Sequence, residues 1–135
     1  MVDDEPEICE VTRSFLAKKN HSVFTATNSS AALDLVSREH PQLMLLDVRL
    51  GSESGIELLR KVREIDKEIK VIMVTALDDE ETIRQAKSLG ADDLIAKPFT
   101  ASFLNDFIMK KISGMGGLQG EGSEEKNSKL DKKTG

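Results

Sequence analysis

The sequence predicts an α/β fold, a three-layer sandwich in which helices cover both faces of a parallel sheet. Two observations carry this. Short apolar runs alternate with amphipathic stretches through residues 1 to 112, and alternating strands and helices imply right-handed crossovers and parallel strands. The run "LMLL" at 43–46 is also continuously apolar, as suits a strand buried on both faces.

The elements follow in order. Only Met1 and Val2 precede the acidic pair Asp3 and Asp4, where about five residues are usual, so either the sequence starts inside the first strand or the domain has a truncated one. Ile8, Val11 and Phe15 recur at helical spacing behind Pro6, which suits a helix start. "HSVFTAT" (21–27) has strand composition, and Asn28 or Ser29 then caps a helix carrying Leu33 and Val36. "QLMLLDV" (42–48) is the third strand, followed by a helix with Ile56, Leu59 and Val62. "KVIMVTA" (70–76) leads to a helix with Ile83, Ala86 and Leu89, closed by Gly90. "DDLIAK" (92–97) precedes a last helix capped by Thr100 and carrying Phe103, Phe107 and Ile108. Phe15, Phe24, Phe99, Phe103 and Phe107 are expected in the core. From residue 113 the chain is rich in Gly, Ser and charge, too poor in apolar surface to offset its ordering entropy. The expected organisation is one domain over 1–112 and a flexible tail or linker over 113–135.

Composition excludes several classes. No segment approaches the roughly 18 to 20 apolar residues of a membrane span. The start, "MVDDEPEICEV", is acidic where a secretory signal is basic and then apolar, so a cytoplasmic location is expected. Cys9 is the only cysteine, which leaves no internal disulfide or multi-cysteine metal site and suggests a small half-buried helix residue. The chain has 19 Lys and Arg against 24 Asp and Glu, and the tail balances four against four, so the net charge of −5 lies in the body. An acidic body without a basic stripe argues against direct nucleic-acid or membrane binding.

In parallel sheets ligands sit beyond the carboxyl ends of the strands. The residues there are Asp3 and Asp4 after the first strand, Asp47 after the third, Thr75 after the fourth and Lys97 after the fifth. Each alone is an ordinary turn, cap or strand residue. Gathered in one cleft they form a chemical device. Three carboxylates a few Å apart are relieved by a hard divalent cation such as Mg²⁺, which takes oxygen ligands and phosphate oxygens. A carboxylate oxygen left free can accept a phosphoryl group, with a lysine and a hydroxyl to meet the new charge. In "AKPF" (96–99) a cis Lys97–Pro98 bond would turn the chain sharply and aim Lys97 across the cleft.

With "VDDEP" (2–6), "LLDVRLGSESGIELL" (45–59), "VIMVTA" (71–76) and "GADDLIAKPF" (90–99) in this order and spacing, the chain resembles the CheY-like receiver domains of bacterial two-component response regulators. The resemblance implies a (βα)5 flavodoxin-like fold with strand order 2-1-3-4-5. It implies a phosphorylation-activated switch rather than an enzyme, one that promotes only its own phosphotransfer and dephosphorylation. Asp47 would be the phosphoacceptor, and Asp3, Asp4, Asp47 and the backbone carbonyl of Arg49 the Mg²⁺ ligands. Thr75 and Lys97 would follow the phosphoryl group. The implied partners are a sensor histidine kinase or phosphotransfer protein and a downstream effector or output domain. The fourth and fifth helices and the fifth strand would form the partner face, or a homodimer.

Three features depart from that pattern. Gly51 stands where proline is usual, Leu94 replaces the switch aromatic, and the first strand, central in the implied order, is truncated. Arg49 and Leu77 flank the path of hydrolytic water in this family, and their size and apolarity predict slow dephosphorylation. Two rivals differ in class. A phosphatase or mutase with an aspartyl-phosphate intermediate needs a second acid/base carboxylate and a cap, yet "VRLGSESG" after Asp47 supplies neither. A degenerate receiver that binds partners without phosphorylation is favoured by Leu94 and the short first strand, and disfavoured by the intact acidic set. "DDEET" (78–82) reads as a solvated acidic helix start, and His21 and His40 as surface residues.

Overall fold

The computed structural model describes residues 1–76 and 78–113. They fall into two units, Met1–Pro98 and, in the second, the described part of Phe99–Gly135. Leu77 and the expected tail beyond 113 lie outside the described residues.

The first unit runs α1 (Pro6–Ala17), α2 (Ser29–Glu39), β1 (Leu43–Asp47), β2 (Arg49–Leu50), β3 (Glu53–Ser54), α3 (Gly55–Ile65), β4 (Lys70–Thr75), α4 (Glu80–Ser88) and β5 (Asp93–Ala96). β1, β4 and β5 form a parallel sheet in that order, with Asp47 opposite Val74 and Thr75 opposite Ala96. Val2 extends it by single parallel bridges to Leu46 on one side and Ala26 on the other. Counted by the expected strands, the lateral order is 2-1-3-4-5.

Before the acidic pair Val2 makes these two bridges, and the strand expected over 21–27 is not formed; only Ala26 bridges. A ladder needs a neighbouring strand, and the segment beside this stretch is Met1 to Asp3. The hydrogen bonds between them are Met1 N to Phe24 O at 3.0 Å, Ala26 N to Met1 O at 3.0 Å and Asp3 N to Ala26 O at 3.1 Å. Phe24 is 40% exposed and Phe103 50% exposed, and Phe15, Phe99 and Phe107 are only half buried, so none of the five phenylalanines belongs to the fully buried core expected for them.

The sheet is apolar on both faces. Met44, Leu46, Val71 and Met73 join α2 and α3 residues such as Val36, Leu58, Leu59 and Val62 in one cluster. Leu45, Ile72 and Val74, offset by one residue and so on the opposite face, are equally buried. Each fully buried side chain of this size stabilises the fold by about 2 kcal/mol, so the backbone leading to Asp47 is firmly held.

Caps fix the helix ends. Asn28 Oδ1 accepts from Ala31 N at 2.9 Å, and Ser54 Oγ accepts from Ile56 N at 3.1 Å. Gly90 takes a φ of +96° just past α4, as anticipated for a helix terminator. α1 sits where expected but is turned by about one residue, roughly 100°. Cys9, Thr12 and Leu16 form its buried stripe, while Ile8 and Val11 are 39% and 64% exposed. The Cys9 thiol, fully rather than half buried, donates to Asp3 O at 3.4 Å, which fixes this rotation.

In the second unit α5 spans Ala101–Ser113. Thr100 Oγ1 accepts from Phe103 N at 3.0 Å, the expected cap.

Candidate functional site

Asp47 ends β1 with its side chain 8% exposed. Its Oδ2 accepts from Lys97 Nζ at 2.5 Å, and its Oδ1 from Arg49 N at 3.1 Å. Lys97 also reaches Asp3 Oδ2 at 3.5 Å. Asp3 is completely buried, and its Oδ1 accepts from Glu5 N at 2.9 Å. Asp4 is exposed beside it. One oxygen from each of Asp3, Asp4 and Asp47 lies within 4.8 Å of the others.

The electrostatics follow from this crowding. Burial pushes the Asp3 carboxyl up, as does the Asp47 charge, while the Glu5 amide and Lys97 work against the rise. For Lys97, burial is the largest single influence and acts to lower its pKa. The bond to Asp47 and the charges of Asp47 and Asp3 together outweigh it, so Lys97 is held above its ordinary value and stays protonated.

These groups open on a cleft of about 300 Å³ lined by Asp4, Asp47, Val48, Arg49, Gly51, Thr75, Ala76, Asp78, Asp79, Thr82 and Lys97. Thr75, buried at the end of β4, enters it from the neighbouring strand. Arg49 N to Asp47 Oδ1 bends the chain into the β2–β3 hairpin, so the Arg49 carbonyl belongs to a strand paired with Ser54. The hairpin was not anticipated, although its two-residue turn Gly51–Ser52 has a sequence signature. Gly51 has a φ of +63°, which a type II′ turn requires at its first position and proline cannot adopt. The Lys97–Pro98 bond is cis.

Asp78, Asp79 and Thr82 are the cleft residues that sequence reasoning assigned to a merely solvated helix start. The available signal was the cap pattern: Asp79 accepts from Glu81 N at 3.0 Å and Thr82 N at 3.4 Å. Leu94 lies outside the cleft lining and packs, half buried, against the core cluster. Neither His21 nor His40 lines the cleft.

Open α/β sheets bind ligands beyond the carboxyl ends of their strands, and the acidic cleft sits there. The sequence matches the family described as "Response regulator receiver domain" over residues 1–109. It is 36% identical over 112 residues to sporulation initiation phosphotransferase F of Bacillus subtilis (strain 168), covering 83% of this chain and 90% of that one. Among solved structures, a CheY-like receiver domain protein from Methanospirillum hungatei JF-1 matches with a TM-score of 0.79 and 30% identity, covering 84% of this chain and 90% of that one. The receiver domain of NtrX from Brucella abortus matches at 0.73 and 30%, covering 82% and 92%. The chain belongs to the response regulator receiver domain family, with the flavodoxin-like (βα)5 fold of that family. Among the described residues no helix is long and apolar enough to cross a membrane.

Proposed function

We propose that this receiver domain is switched by phosphorylation of Asp47 in a Mg²⁺-dependent reaction, with a phosphohistidine on a sensor kinase or phosphotransfer protein as donor. One observation carries the reading: a buried aspartate ends a central strand with two more carboxylates within 4.8 Å and a lysine on its Oδ2.

The donor set suits the cation. Asp3, Asp4 and Asp47 offer only hard oxygen ligands, and the Arg49 carbonyl is a fourth candidate, which fits Mg²⁺ and no soft metal. When bound, Mg²⁺ would screen the carboxylates from the incoming phosphoryl oxygens. The chain supplies the rest. An Asp47 oxygen bonds to phosphorus as the phosphorus–nitrogen bond to the donor histidine breaks, and the imidazole nitrogen regains a proton from solvent. Lys97, already paired with Asp47, pairs its ammonium with the phosphoryl oxygens, and the Thr75 hydroxyl donates to them. Partner binding then changes as the surrounding loops follow the new charge.

The relative named a phosphotransferase favours a chain that passes its phosphoryl group on to a further protein. Slow hydrolysis suits that use, since a stored group remains available for transfer. Arg49, two residues past the acceptor, and Leu77, two past Thr75 in sequence, predict a lifetime of minutes or longer, and loss of label within seconds would refute it.

Mass spectrometry after incubation with acetyl phosphate tests the assignment. Wild type should gain one phosphoryl group only with Mg²⁺, and Asp47→Ala none. An unlabelled wild type that still binds Mg²⁺ would instead mark a degenerate receiver that binds partners unphosphorylated.

A further inference from the structure

The cleft holds a cation and two carboxylates that the phosphoryl transfer does not use. Arg49, Asp78 and Asp79 line the same opening as Asp47 and Thr75. The Arg49 side chain is exposed, and among the described residues its guanidinium makes no hydrogen bond or ion pair. Asp79 is the opposite case. As the N-cap of α4 it accepts from Glu81 N at 3.0 Å and Thr82 N at 3.4 Å, and from the Thr82 hydroxyl at 2.7 Å. The Thr82 hydroxyl, then its amide, hold the Asp79 carboxyl below the usual range, and the Arg49 charge adds to this. A fixed anion thus shares the cleft with an exposed cation whose charge it feels.

We propose that Asp79 competes with the phosphoryl group on Asp47 for the Arg49 guanidinium, and so sets how long the aspartyl phosphate survives. The inference rests on Asp47 being the phosphoacceptor. A phosphoryl group two residues from Arg49 brings about two negative charges and three acceptor oxygens, a planar bidentate match for a guanidinium. In that position Arg49 covers the phosphorus. Hydrolysis requires a water oxygen to bond to phosphorus as the bond to the Asp47 oxygen breaks, giving inorganic phosphate and the free carboxylate and releasing one proton to solvent. Each interval that Arg49 spends at Asp79 uncovers the path for that water. Asp79 is therefore a positioning residue that acts only through Arg49.

The test follows the half-life of acetyl-phosphate-labelled full-length chain. Asp79→Asn keeps the cap, because Asn caps helices as well as Asp, and removes only the charge. It should lengthen the half-life about two- to fivefold, the range set by an exposed ion pair. Arg49→Gln should shorten it on the order of tenfold, as loss of a charge-assisted contact implies, and Arg49→Lys should restore part of it. In the Arg49→Gln background, Asp79→Asn should have no effect. Asp78→Asn, which removes a charge from the same cleft without touching the cap, should change the half-life less than Asp79→Asn. An unchanged Asp79→Asn half-life, the same gain without Arg49, or an equal gain from Asp78→Asn overturns the inference while leaving Asp47 as acceptor. A wild type that takes no label overturns both.

Discussion

Replacing Gly55 by alanine should cost far more than replacing Gly51, although only Gly51 has a positive φ. A Cβ on Gly55 would lie 2.0 Å from Asp47 O and 2.9 Å from Val48 O. Relieving the first contact to 3.0 Å means moving backbone by about 1 Å, and that backbone is pinned. Asp47 N donates to Val2 O and Val48 N to Val74 O, both at 3.0 Å. Overpacking against fixed backbone lies at the upper end of the usual range, about 3 kcal/mol or more. At Gly51 the nearest atom to a built Cβ is Asp4 Oδ2, an unstrained 3.7 Å away. The cost there is the left-handed backbone alone, about 1 to 2 kcal/mol. In a domain of this size each kcal/mol lowers Tm by roughly 4 to 8 °C, so circular-dichroism melting separates the two variants clearly. Gly55→Ala should also lose acetyl-phosphate labelling, because the atoms displaced belong to the acceptor. A Gly55→Ala protein as stable as Gly51→Ala would refute the steric argument.

Other outcomes are expected from the same structure. Without divalent cations, burial raises the Asp3 carboxyl above its ordinary 3.8, so the folded chain binds that proton more tightly than the unfolded one. Stability then falls as pH rises from 3.8 through the folded value; Asp3→Asn should abolish this slope and have the higher urea midpoint at neutral pH. Millimolar Mg²⁺ should raise the wild-type midpoint by binding only the folded state, EDTA should reverse this, and Asp4→Asn should reduce the gain. Arg63 donates to Ile69 O at 2.6 Å, Gly90 O at 2.7 Å and Asp92 Oδ2 at 3.0 Å. Arg63→Ala should cost about 2 to 3 kcal/mol in urea unfolding, with little rescue by Arg63→Lys, whose ammonium cannot span the three acceptors.

The residues that reach the site from strand ends were legible because a buried parallel strand announces itself by a continuous apolar run, and its first polar residue marks the carboxyl end. That logic located Asp47 and Thr75 from "LMLL" and "VIMV", and Lys97 from "LIA". It failed where a residue's position depends on a partner rather than on its own segment. "HSVFTAT" has strand composition, but among the described residues it pairs through a single bridge, Ala26 to Val2, and Phe24 stays 40% exposed. The rotation of α1 was illegible for a similar reason. Ile8 and Val11 are the more apolar residues, yet the bond from Cys9 to the Asp3 carbonyl decides which stripe faces inward. "DDEET" is the exposed acidic helix start its sequence announces, with Asp79 as the cap, but that Asp78, Asp79 and Thr82 also line the cleft depends on the tertiary fold and was not legible from the segment itself.

Val2 is the one bridging residue before Asp3, which raises the question of how Asp3 is placed well enough to bind anything. Strand length is not what positions it. Val2 N donates to Leu45 O at 2.8 Å, and Asp47 N donates back to Val2 O at 3.0 Å, tying the residue before Asp3 directly to the acceptor. On the other side Asp3 N donates to Ala26 O at 3.1 Å. The Asp3 carbonyl takes the Cys9 thiol, and its carboxylate the Glu5 amide at 2.9 Å. Asp3 is therefore gripped at its amide by Ala26 and at its carbonyl and side chain by the start of α1. The geometry of the acidic cleft is thus held by the pairing of Val2 on both sides, to Leu46 and to Ala26.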